Sequence, residues 1–176
     1  MSKMALIVID VQECLINDDT YEKDEFIQRL KVLLHTARKE QVPVLYVRHN
    51  ETEGEMMTGT FGHQIYHEVM PEETECIVDK WYNSIFKNTG LREHLKEAGV
   101  EDLMLVGMQT EFCFDASVKA GFEHGFQIFV PEMAHTTFDS ETLKAEEIYN
   151  HYTYEIWNNR YAKVVSLEDA IRLLGE

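Results

Sequence analysis

The chain has 176 residues, 44% of them hydrophobic and 27% charged, with a formal net charge of −16 at pH 7. That length suits one domain around a single substantial core, and the composition excludes long disorder. The negative field repels phosphate backbones and anionic lipid, so nucleic acid and membrane surfaces are excluded as natural partners.

The first apolar run, 4–10 (MALIVID), predicts a strand that ends on Asp10. It is shorter than the roughly 20 residues of a membrane span and lacks the cleavage pattern of a secretory signal. Residues 23–40 carry Phe26, Ile27, Leu30, Leu33, Leu34 and Ala37 at helical spacing and predict an amphipathic helix. Further strands are expected at 42–48, 75–79, 102–107, 126–130 and 161–165, and further helices at 90–98, 111–124, 140–156 and 167–174. Gly99 and Gly125 sit where left-handed helix caps belong, and Ser166 with Asp169 suits an N-cap. Strands that are apolar almost throughout, alternating with helices, predict a parallel sheet covered on both faces. The whole chain, 1–176, is expected to form one domain, and the irregular stretch 49–73 to be an insertion that walls a pocket. Cys14, Cys76 and Cys113 are odd in number, widely spaced and without a CxxC, which argues against a disulfide framework and for the cytoplasm.

Ligands of open parallel sheets bind beyond the carboxyl ends of the strands. Three strand ends deliver chemistry there: Asp10, Lys80 and, past Gly107, the segment Met108-Gln109-Thr110 that leads to Cys113. Taken singly, each has a plain reading. Asp10 suits a turn cap equally well, Lys80 a solvated lysine, and Cys113 a small buried hydrophobe. Together they make a base, a cation and a nucleophile in one cleft, a covalent-catalysis set that needs no histidine. Thr110 reads as the N-cap of the following helix, which places Cys113 third in it, where the helix dipole favours the thiolate.

The segment GMQTEFCFDASVKAGFEHGFQIFVPEMAHTTFD resembles the nucleophile motif of the isochorismatase-like cysteine hydrolases. VIDVQ is similar to their aspartate motif and DKWYNSIF to their lysine motif, in the same order and over nearly the whole chain. The resemblance implies a three-layer α/β/α fold with a six-stranded parallel sheet. It also implies Asp10 as base, Lys80 as the charge stabiliser of that base, and Cys113 as nucleophile. The oxyanion would be held by the backbone amides of Gln109 and Cys113, with a cis peptide between Met108 and Gln109. Members that keep the cysteine cleave amides, so hydrolysis of a small C–N bond through a thioester is expected, with no cofactor. A homo-oligomer is expected from the same resemblance.

The expected pocket residues are Leu15, His49, Trp81, Ser84 and Phe86, although aromatic residues in such a cluster also suit the core. Nicotinamidases carry an Asp-x-His metal motif where this chain has His49-Asn50-Glu51, so neither a metal nor nicotinamidase activity is expected. The ligand types alone would allow a metal on His49, Glu51 and His63 or His67. Vinyl-ether hydrolysis, or ligand binding or redox sensing by the same thiol, are the rival readings. Tyr149, Tyr152, Tyr154 and Trp157 mark either a subunit interface or buried core.

Overall fold

The computed structural model describes residues 3–176. In chain order its main elements are β1 (Lys3–Ile9), α1 (Lys23–Lys39), β2 (Val44–His49), β3 (Cys76–Lys80), α2 (Leu91–Glu97) and β4 (Val100–Met108). They continue with α3 (Asp115–Glu123), β5 (Gln127–Pro131), β6 (His135–Thr136), α4 (Ala145–Asn150), β7 (Lys163–Val165) and α5 (Leu167–Leu174). All strand pairs are parallel, in the order β3-β2-β1-β4-β5-β7, with β6 paired to the end of β4.

The continuous apolar strands follow from burial on two faces. Leu6 and Val8 of β1 and Met104, Val106 and Met108 of β4 pack on one side with Phe26, Leu30 and Leu33 of α1 and Leu174 of α5. Ala5, Ile7 and Ile9, with Leu103 and Leu105, point the other way and meet Leu91, Leu95 and Val118 of α2 and α3. Alternation along each strand thus feeds two cores at once, leaving no polar face. Ser166 caps α5 through the Asp169 amide at 3.1 Å, and Gly99 and Gly125 take positive φ after α2 and α3, as expected.

Three departures from expectation have local causes. The sheet has a seventh strand, the two residues of β6, in a stretch expected to be loop. The helix expected over 140–156 begins only at Ala145. Before it, the Ser140 hydroxyl accepts the amides of Thr142 and Leu143, and Asp139 accepts that of Ala145, so side chains outcompete the helix ladder. Beyond Asn150 the coil widens into a π-helical turn, His151–Trp157, and another π turn, Thr110–Phe114, precedes α3.

The chain runs outward from β1 to β2 and β3, then returns to place β4 against β1, so the switch point of the sheet lies between β1 and β4. Gly107 makes this junction possible. Its φ is +128°, and a Cβ there would stand 2.0 Å from the Ile9 carbonyl oxygen. Gly107→Ala should therefore lower unfolding free energy by roughly 3 kcal/mol or more, from clash and backbone strain together. Urea denaturation checks this, and a loss under about 1 kcal/mol would show that the two strands can part without cost.

Candidate active site

Asp10 is the first residue beyond β1 and turns out of the strand at φ +53°, with its side chain buried. Lys80 ends β3, two strands away, and pairs in register with His49 of β2. Paired residues share a face, so the lysine reaches across β2 above the sheet edge. Its ammonium donates to Asp10 Oδ2 at 2.7 Å, to His49 Nδ1 at 3.0 Å and to Cys113 Sγ at 3.2 Å. An ammonium has three protons, and here each has a partner. Because Lys80 only donates, His49 Nδ1 must be the acceptor, which leaves the ring proton on Nε2. Cys113 is the fourth residue of the π turn after β4, and the Gln109 carbonyl that opens the turn accepts the amides of Phe112 and Phe114, passing over that of Cys113 between them. The Met108–Gln109 peptide is cis, as the resemblance implied.

The electrostatics of the thiol run against the expectation from the helix dipole. Burial and then the Asp10 carboxylate push the Cys113 thiol up to about 12, against the pull of Lys80. Burial also raises Asp10, with Lys80 acting in the opposite direction. One positive charge can compensate one negative charge. Asp10 and Cys113 therefore compete for a single compensated anion, and burial works against the thiolate. Asp10 Oδ1 is buried, and the Cys113 thiol is a neighbour that can share a proton with this carboxylate. Moving the proton from Sγ to Asp10 leaves the total charge of the pocket unchanged. His49 is held neutral by burial and by Lys80.

The Isochorismatase domain model matches residues 4–169. The chain belongs to the isochorismatase family. An uncharacterised isochorismatase family protein of Bacillus subtilis is 32% identical over 93% of this chain and 96% of its own length. Nicotinamidase 3 of Arabidopsis thaliana is 28% identical over 80% of this chain and 77% of its own. A crystal structure of an isochorismatase family protein superposes with a TM-score of 0.87 at 26% identity, covering 93% of this chain and 98% of that one. Members of this family are hydrolases, and the sheet described above is the family's fold.

Within this isochorismatase-family site the expected residues do not all gather. Asp10, Lys80, Cys113 and His49 do. Thr110 is not the cap of the nucleophile turn; that position falls to Gln109, and the Thr110 hydroxyl is instead 2.9 Å from His135 Nδ1. Phe86 belongs to the core, stacked 5.9 Å from Phe126 and edge-on to His124 at 5.1 Å. Ser84 supports the local turn by accepting the Phe86 amide, Leu15 packs partly on the α1 core, and Trp81 is exposed at 55%. His63 and His67 go elsewhere, to Asp79 at 3.6 Å and Glu13 at 3.1 Å, so the metal set that ligand type allowed is not assembled. Among the described residues the one metal-capable trio is Asp10, His49 and Cys113, and the Lys80 ammonium bonds to each of its members. Of the four aromatics at 149–157, Tyr149 and Trp157 are buried core, whereas Tyr154 is 46% exposed. Cys14 is half-buried, its thiol pushed up to about 11 by burial and Glu55.

Two site residues carried no separate signal in the sequence. Asn83 Oδ1 lies 3.9 Å from Cys113 Sγ, inside the DKWYNSIF motif. Gln12 is fully buried and bonds the His49 amide at 2.7 Å, the His49 carbonyl at 3.1 Å and the His63 carbonyl at 3.2 Å, tying the 49–73 insertion to the strand edge. Its position in VIDVQ was the available cue.

The charge balance makes a counterintuitive prediction for Asp10→Asn. The substitution removes the anion that competes with the thiolate but leaves Lys80 in place. The Cys113 thiol should then ionise at lower pH, by at least about one unit. Peptide-resolved mass spectrometry of iodoacetamide labelling across pH reads this directly, with exposed Cys76 as internal standard. An unchanged Cys113 profile would mean that Asp10 does not govern the thiol, and an upward shift would mean that Asp10 favours the thiolate, which overturns the competition between the two anions.

Proposed function

We propose that the chain hydrolyses the C–N bond of a small amide or carbamoyl compound through a thioester on Cys113. The observation that carries this reading is a thiol whose sulfur lies 3.2 Å from a lysine ammonium that is itself ion-paired to the buried Asp10 carboxylate. That is a nucleophile, its base and a fixed positive charge within one hydrogen-bonded cluster. Similarity to a protein named as a nicotinamidase supports an amide rather than another scissile bond.

Asp10 takes the proton from Sγ as the sulfur attacks the carbonyl carbon, and Lys80 stays beside both groups. The oxyanion is met by the backbone amides of Cys113 in the π turn and of Gln109 just before it. Asp10, now protonated, returns its proton to the leaving nitrogen, and ammonia or an amine departs. Asp10 then deprotonates a water molecule that attacks the thioester carbonyl, releasing the acid and restoring the thiol. His49 presents its Nε2–H at the mouth of this cluster as a neutral donor for an acceptor atom of the substrate. With the chain at a net −16, a multiply anionic substrate is disfavoured.

Ammonia release from a panel of small primary amides and carbamoyl compounds tests this reading. Cys113→Ala should lower release by at least about 10³-fold while circular dichroism stays that of the wild type. Release that survives in Cys113→Ala would overturn the thioester mechanism. Absence of ammonia from every compound, together with consumption of a vinyl ether, would replace the amide with the family's other scissile bond.

A further inference from the structure

The turn that carries Cys113 is braced from behind by a histidine that takes no part in the proton transfers. His135 is buried in β6, alongside Gly107 in the sheet register, with its ring centroid 5.0 Å from that of Phe114 and 4.4 Å from that of Tyr149. Both ring nitrogens are engaged. Nδ1 lies 2.9 Å from Oγ1 of Thr110, the first residue of the π turn, and Nε2 lies 3.0 Å from Oγ1 of Thr153. The Thr153 hydroxyl donates to the Tyr149 carbonyl at 2.5 Å, so its single proton is committed and it receives Nε2–H. The Thr110 hydroxyl has a looser carbonyl contact, 3.1 Å to Thr136, and its proton is available to Nδ1. Burial without a compensating anion pushes the ring pKa down to about 3, so the bridge is neutral and does not titrate near pH 7.

A π turn is wide, and this one is tied internally in an unusual way, with two amides on the Gln109 carbonyl. The Ser117 hydroxyl holds the Cys113 carbonyl at 2.6 Å on the α3 side, and the placement that oxyanion stabilisation requires also needs a hold at the start of the turn. Two side chains of the turn reach this region: the Thr110 hydroxyl, which bonds His135 in β6, and Glu111, which accepts from the Thr137 hydroxyl just beyond β6 at 2.6 Å. We propose that His135 is a positioning residue of the hydrolytic reaction, setting through Thr110 the placement of the turn whose amides face the reacting carbonyl. This rests on the reading of Cys113 as nucleophile.

Two substitutions separate positioning from plain stability. In His135→Asn the side-chain amide reaches the place of Nδ1, keeping the Thr110 contact and losing Thr153. In His135→Gln it reaches the place of Nε2, with the reverse result. Both delete the same stacked ring, so both should lose thermal stability alike. Hydrogen exchange over residues 108–114 should be wild-type-like in His135→Asn and faster in His135→Gln. With an amide hydrolysed in a Cys113-dependent way, kcat should fall by about 10²-fold in His135→Gln and change by less than about threefold in His135→Asn, with KM little altered in both. Equal exchange and equal kcat in the two variants would overturn the proposal. If neither folds, Thr110→Ser against Thr110→Val poses the same contrast, because only serine keeps the hydroxyl. Turnover that persists in Cys113→Ala would instead defeat the thioester reading, and the exchange comparison, which needs no substrate, would still decide whether His135 braces the turn.

Discussion

An ammonium taken out of water costs several kcal/mol unless every proton finds an acceptor and an anion lies beside it. Lys80 is 1% exposed, and it meets that demand with Asp10, His49 and Cys113, one partner per proton. These partners come from the ends of β1 and β2 and from the turn after β4. Placing the lysine therefore fixes three separate segments relative to one another. Removing one partner of such a buried pair leaves an uncompensated charge, worth about 3–5 kcal/mol. The ion pair is thus a constraint on the whole sheet edge as well as on the chemistry.

The same pair explains the state of the thiol. Two anions beside one cation leave one of them uncompensated, so the cluster holds a proton between Asp10 and Cys113. A resting thiolate would be a liability in the presence of oxidants and metal ions. In the proposed reaction the thiolate forms as its proton passes to Asp10, a transfer that moves no net charge into the cluster. Burial and a neighbouring carboxylate raise the thiol in spite of Lys80 and of its place ahead of α3.

Around this centre the fold supplies a rigid frame with two braces. Both faces of the sheet are packed, and Gly107 lets β4 close against β1 where a side chain would clash. Gln12 ties His49 and the insertion to the strand edge, and the Thr110–His135–Thr153 bridge ties the turn that carries Cys113 to β6 and the π turn at 151–157. Both braces are neutral and buried, so they hold geometry without adding charge that would shift Asp10 or Cys113.

Strand–helix alternation, the α1 stripe and the positions of Asp10, Lys80 and Cys113 past strand ends were legible in the residues. Period, burial and strand direction are local properties, and local properties survive in a single chain read by itself. Phe86 shows where that stops: it lies six residues beyond Lys80 in the same motif, yet it turns into the core and stacks on Phe126. His135 shows the reverse case, since nothing in AHTT distinguishes a surface histidine from one hydrogen-bonded at both nitrogens by Thr110 and Thr153. The sequence by itself determined the layered parallel fold and which three groups would meet at its edge. Only the tertiary structure decided that burial and Asp10 raise the thiol, which histidine touches Lys80, and what holds the turn that carries Cys113. Those depend on distances between segments far apart in the chain, and both Coulomb energy and hydrogen bonding change steeply over the last few ångströms.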